Sequence, residues 1–117
     1  MIVDHRTYTV RAGTLQAQLE LYATYGLEVQ TRYQGPPLAF LVTETGELNT
    51  YVHLWVYADA GDRMRRRAEL NADPAWLVYL EKAAAAGYVI RQETKLMLPA
   101  AFAPLARPRT ATPDNDP

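Results

Sequence analysis

The chain has 117 residues, with 12 Lys and Arg against 13 Asp and Glu, a formal net charge of −1 and 49% hydrophobic residues. This is the composition of one globular domain with a single core, and it gives no global electrostatic reason to bind nucleic acid or an anionic membrane. There is no cysteine, which excludes disulfides, thiolate metal ligands and a cysteine nucleophile, and no serine, which excludes a Ser-His-Asp hydrolase. No apolar run approaches the roughly 20 residues of a membrane span. Met1–Arg6 lacks the basic and apolar regions of a signal peptide, so a cytoplasmic location is expected.

Ile2 to Val10 reads as a strand, rich in β-branched and aromatic residues and ended by Arg11-Ala12-Gly13. One of its faces carries Asp4, Arg6 and Tyr8. From Thr14, a plausible N-cap, apolar residues recur at Leu15, Leu19, Tyr22, Gly26, Val29 and Tyr33, the spacing of an amphipathic helix. Gly26 weakens the middle of that helix, which implies close packing there or a short break. Gly35-Pro36-Pro37 ends it. Leu38 to Glu44 and the strand after Thr45-Gly46-Glu47 form a hairpin. In that third strand Tyr51, His53, Trp55 and Tyr57 share one face, while Val52, Leu54, Val56 and Ala58 share the other. Asp59-Ala60-Gly61-Asp62 then opens a second helical region, which Asp73-Pro74 restarts with a cap and a first-turn proline. Gly87 suits the position after its end. Tyr88 to Leu98 is the fourth strand. Five of the eight prolines follow from Pro99 onward, so the stretch 107–117 is expected to be a flexible tail.

The order is β-α-β-β-α-β, which predicts an α+β, ferredoxin-like fold: a four-stranded antiparallel sheet with two helices on one face. Strands 1 and 3 are expected side by side and parallel. Strand 3 is apolar on both faces and two helices cover only one, so a homodimer, sheet against sheet, is the simplest way to bury the other.

Three segments carry a resemblance to a known family. They are Arg6-Thr7-Tyr8-Thr9 with Gly13; Glu44-x-Gly46-x-Leu48-Asn49-x-x-Val52-His53-Leu54-Trp55-x-Tyr57; and Asp62-Arg63-x-x-Arg66-Arg67-x-x-Leu70-x-x-Asp73-Pro74-x-Trp76-x-x-Tyr79-Leu80. With the closing Leu98-Pro99-Ala100-Ala101-Phe102-Ala103-Pro104-Leu105, the chain resembles the NIPSNAP family over residues 2–105. Asp4 stands where the family usually has Glu. The resemblance implies a dimeric α+β barrel over residues 1–106 and no settled reaction. Proteins sharing that barrel include cofactor-independent monooxygenases, haem-degrading enzymes and small isomerases, so fold analogy does not choose among functions.

His53, set among Tyr51, Trp55 and Tyr57, is the candidate catalytic residue: a general base or hydrogen-bond donor whose pKa burial would lower. The alternative is a buried histidine satisfied by a neighbour such as Asp4, Tyr8 or a backbone carbonyl. Arg6, Tyr8, Tyr51, Trp55, Tyr57, Trp76 and Tyr79 are candidate ligand-binding residues, although Trp76 and Tyr79 equally fit core packing. No metal or cofactor is expected, because His5, the second histidine, lies in the opposite register. Arg63, Arg65, Arg66 and Arg67 read as a solvated helix face paired locally as Asp59–Arg63, Asp62–Arg66 and Arg65–Glu69, with an anion or partner contact as the alternative. The expected function is small-molecule binding, with a ligand that is aromatic or apolar and carries a polar group. The alternatives are a cofactor-independent monooxygenase or isomerase using His53, and a non-catalytic protein-interaction module.

Overall fold

The computed structural model describes residues 1–105; the tail expected from residue 107 lies outside the described residues. The chain runs β1 (Ile2–Val10), α1 (Leu15–Tyr25), α2 (Leu27–Gln34), β2 (Ala39–Val42), β3 (Thr50–Tyr57), α3 (Ala60–Ala72), α4 (Pro74–Ala86) and β4 (Val89–Met97). Each of the two predicted helical regions is a pair of helices. The first breaks at Gly26, where both expected reasons apply. An added Cβ would lie 2.9 Å from the Tyr22 ring and 3.2 Å from the Tyr79 ring, so only glycine lets these rings close on the junction. The second breaks at Asp73, whose carboxylate accepts from the Ala75 backbone N–H at 2.8 Å and caps α4, with Pro74 beginning its first turn. Asp59 caps α3 in the same way through Asp62 N–H at 2.8 Å. Gly87 ends α4 in the left-handed conformation, φ 63°. Thr14 does not cap α1 as expected; its hydroxyl donates back to the Arg11 carbonyl at 2.6 Å and closes the preceding turn instead.

The sheet order is β2-β3-β1-β4, and every neighbouring pair is antiparallel. This confirms the ferredoxin-like α+β fold and corrects one detail, because β1 and β3 are adjacent but antiparallel. A crossover brings β2 back parallel to β1, and the hairpin then reverses the chain into β3. The register sets Asp4 opposite Trp55, Arg6 opposite His53 and Tyr8 opposite Tyr51, so the polar series of β1 lies directly beside the aromatic row of β3.

The four helices cover the aromatic face. Trp55 has no exposed surface, and Tyr51, His53 and Tyr57 are buried with it. The aliphatic face, with Val52, Leu54 and Val56, is only half-buried, and Leu41 of β2, opposite Val52, is 57% exposed. Within the helical layer Tyr22, Val29, Leu70, Trp76 and Tyr79 form the apolar centre. The α1–α2 stripe facing inward is notably polar: Gln18, Tyr22, Gly26, Gln30 and Gln34, each four residues from the last, are all buried. Among the described residues no helix is long and apolar enough to cross a membrane.

Candidate functional site

His53 is held in a column of rings. Phe40 on β2, His53 on β3 and Tyr8 on β1 stack nearly parallel, with centroids 4.8 Å apart between Phe40 and His53 and 5.0 Å between His53 and Tyr8. Tyr51 stacks on Tyr8 at 5.2 Å. The indole Nε1 of Trp55, two residues along the same strand face, donates to His53 Nδ1 at 2.5 Å. An indole N–H can only donate, so Nδ1 carries the lone pair and the imidazole proton sits on Nε2. Burial, and then the neighbouring charge of Arg6, pull the His53 pKa down to about 3. At neutral pH the ring is therefore an uncharged hydrogen-bond donor, with its one acceptor nitrogen already occupied.

One end of the row is strongly charged. Asp4 has no exposed surface, yet it accepts from Arg6 Nε at 3.0 Å, Arg6 Nη2 at 3.2 Å and Arg63 Nε at 3.0 Å. Burial alone would push its carboxyl up; the bonds and charge of Arg6, then of Arg63, outweigh that and hold it below the ordinary carboxylate range. Arg63 thus pairs across to β1 and not with Asp59, because Asp59 is spent on capping α3. Asp62 takes both Arg65, at 3.0 Å, and Arg66, at 2.8 Å. The expected Asp62–Arg66 pair is present, while Arg65 turns to Asp62 and not to Glu69. Tyr57 lies diagonally across from Asp4, 1% exposed, and its hydroxyl has no hydrogen-bond partner among the described residues. Burial, then the Asp4 charge, push it up to about 12.

The other end is a neutral polar network. Gln18 Nε2 donates to Tyr51 and to Tyr79, each at 3.2 Å, and the Tyr22 hydroxyl donates to Gln30 Oε1 at 2.5 Å. Of the predicted ligand-binding residues, Arg6, Tyr8, Tyr51, Trp55 and Tyr57 therefore meet His53 on one sheet surface, and Tyr79 reaches that surface through Gln18. Trp76 does not; it packs on Tyr79 at 5.1 Å within the helical layer. Phe40 and Gln18 went unnoticed in the sequence, Phe40 because it stands on a short strand and Gln18 because apolar spacing treats a polar residue as outward-facing. A separate open groove of ≈ 330 Å³ lies on the outer side of the helices, lined by residues such as Tyr25, Glu28, Arg32 and Val78, and includes none of these side chains. The helix-facing side of β4 is left open: Gln92, Thr94 and Leu96, opposite Tyr8, Arg6 and Asp4, are all exposed.

Comparison with known proteins supplies the lineage. The NIPSNAP family model matches residues 3–104. The chain belongs to the NIPSNAP family. It is 32% identical over 94 residues to a NipSnap homolog of Dictyostelium discoideum, an alignment spanning 80% of this chain and 40% of that protein. Among solved structures, a NIPSNAP family protein of unknown function from Agrobacterium tumefaciens superposes with a TM-score of 0.83 at 36% identity, covering 91% of this chain and 94% of the other. An uncharacterized NIPSNAP domain protein from Burkholderia xenovorans gives 0.82 at 34%, covering 89% and 99%. An antibiotic biosynthesis monooxygenase superposes at 0.57 with 15% identity, over 86% of this chain and 99% of that one, which shows a shared fold alone.

Proposed function

We propose that this NIPSNAP protein is a homodimer that binds a small, flat, partly apolar molecule on the helix-facing sheet surface, with His53 Nε2–H as a hydrogen-bond donor to it. The observation that carries this reading is the neutral imidazole fixed by Trp55, in a ring column that ends at Tyr8 beside the open strip of β4. A packed core has no need of a stationed donor beside an uncovered shelf, whereas ligand sites combine apolar walls with a few placed polar groups. The same geometry weighs against general-base chemistry by His53, which requires a free acceptor nitrogen and a pKa near the working pH. The dimer rests on the opposite face, where Ala39, Leu41, Val52, Leu54 and Val56 form an aliphatic surface over β2 and β3.

A thermal-shift screen of small aromatic carbonyl compounds tests the site, because a ligand of the native state raises its apparent stability. Binding should weaken by at least about tenfold, roughly 1.4 kcal/mol, in His53→Ala and stay unchanged in His5→Ala. Unchanged affinity in a folded His53→Ala protein removes His53 from the site. Light scattering tests the dimer: micromolar protein should be dimeric and Val56→Asp should dissociate it, while a wild-type monomer at that concentration ends the proposal.

A further inference from the structure

The charged end of the row holds more positive charge than it needs. Arg6, Arg63 and Arg67 stand around Asp4 and Tyr57, three guanidinium groups against one carboxylate, in a setting where Asp4 and Tyr57 are almost fully buried. Asp4 is saturated by Arg6 and Arg63. Arg63 spends only Nε on that contact, which leaves its terminal nitrogens unspent. Arg67, one turn further along α3 and half-buried, has no hydrogen-bond or ion-pair partner among the described residues. Burial, followed by the like charges of Arg6 and Arg63, lowers its pKa, the response of a cation without a counterion. The Tyr57 hydroxyl is the second, independent sign: a buried donor with no acceptor among the described residues, in a region where buried polar groups are otherwise paired.

We infer that Arg63, Arg67 and the Tyr57 hydroxyl form a binding site for the oxyanion of a ligand, a carboxylate or a phosphate group. An anion placed there neutralises the excess charge, accepts from the planar forks of two arginines and satisfies the orphaned hydroxyl in one step. The inference deepens the reading of the helix-facing surface as a small-molecule site and rests on it: the flat body of the ligand lies toward Tyr8 and His53, and the acidic group lies toward α3. The favoured ligand class is then a small aromatic or apolar acid or phosphate monoester.

The test is calorimetric titration of the full chain with benzoate, phenyl phosphate and the neutral isostere benzyl alcohol. At least one of the two anions should bind at least tenfold more tightly than benzyl alcohol, and the tighter of them identifies the headgroup. Arg67→Gln should abolish that preference while leaving the melting temperature of the ligand-free protein unchanged or raised, since the variant removes an uncompensated cation. Tyr57→Phe should weaken the anion several-fold without lowering the melting temperature; a residue serving the fold alone gives no such separation. If benzyl alcohol binds in a His53-dependent way and neither anion is preferred, the anion site is refuted and the small-molecule reading stands. An anion preference equal in wild type and Arg67→Gln also refutes it. If no probe binds at ~10 mM, well beyond the millimolar affinity expected of a small fragment, both readings fall.

Discussion

The neutral, clamped state of His53 makes the fold acid-labile in a window where few other groups act. The imidazole titrates near 6.5 when unfolded and near 3 in the native protein. A second proton would have to enter at Nδ1, where the Trp55 N–H already points, so the folded chain resists a charge that the unfolded chain accepts. The unfolded state therefore binds more protons between these values, and stability falls as pH drops below 6.5. At 1.36 kcal/mol per unit, about 2 kcal/mol is lost by pH 5 and about 3 kcal/mol by pH 4. The depressed carboxyls of Asp4, Asp62 and Asp73 lose their contribution only as pH falls below the unfolded value near 4, so the step from pH 7 to pH 5 isolates the histidine. Urea unfolding at pH 7, 6, 5 and 4, at one fixed protein concentration, measures it. His53→Gln keeps an uncharged acceptor for the indole and removes the titration; its stability should be nearly flat from pH 7 to 5. Equal slopes in wild type and His53→Gln, or an NMR titration of His53 near 6.5, would refute the reasoning.

Asp4→Asn should cost about 3 kcal/mol at pH 7, the scale of breaking a buried ion pair from one side, because Arg6 and Arg63 then face each other without a counterion; chemical denaturation measures the loss, and adding Arg63→Met should recover part of it. Gly26→Ala should destabilise by about 1–3 kcal/mol through overpacking, even though alanine is favoured by about 1 kcal/mol in helices, because its methyl meets the Tyr22 and Tyr79 rings; a higher melting temperature would contradict that. Tyr57→Phe should leave stability unchanged or raise it by about 1 kcal/mol, since the hydroxyl it removes is buried and unpaired; a clear loss in calorimetry would mean the hydroxyl has a partner.

What could be read in the sequence was what local chemistry decides. Strand 3 announced its two faces by strict alternation, and Asp73-Pro74 and Gly87 marked a helix start and a helix end through capping alone. The placement of Asp4, Arg6 and Tyr8 beside the His53 row follows from adjacency of strands 1 and 3, because both series keep to one side of the sheet whichever way the strands run; the antiparallel direction, which sets the individual pairs, does not. Contacts between distant segments were not legible. Asp59 stood at the favoured spacing from Arg63, and nothing local showed that it would cap α3 while Arg63 reached Asp4, 59 positions away. The buried glutamines were hidden for another reason: Gln18 and Gln30 face inward because the tyrosines and side-chain amides around them offer partners, and hydropathy spacing does not register hydroxyls on aromatic rings. The Trp55–His53 bond was within reach, since residues two apart on a strand share a face.

The pitch of the ring column has a geometric corollary. Phe40, His53 and Tyr8 stand on three neighbouring strands, and their separations of 4.8 and 5.0 Å follow the distance that backbone hydrogen bonding imposes between strands. The rings are teeth of a comb whose spacing the backbone sets, so no planar guest can intercalate between two of them without parting the ladder beneath. Tyr22 of α1 roofs the Phe40 side. Any flat molecule that extends this column does so beyond Tyr8, over Gln92 and Thr94, where β4 is the last strand of the sheet; a guest that accepts from His53 Nε2–H lies across the ring edges instead.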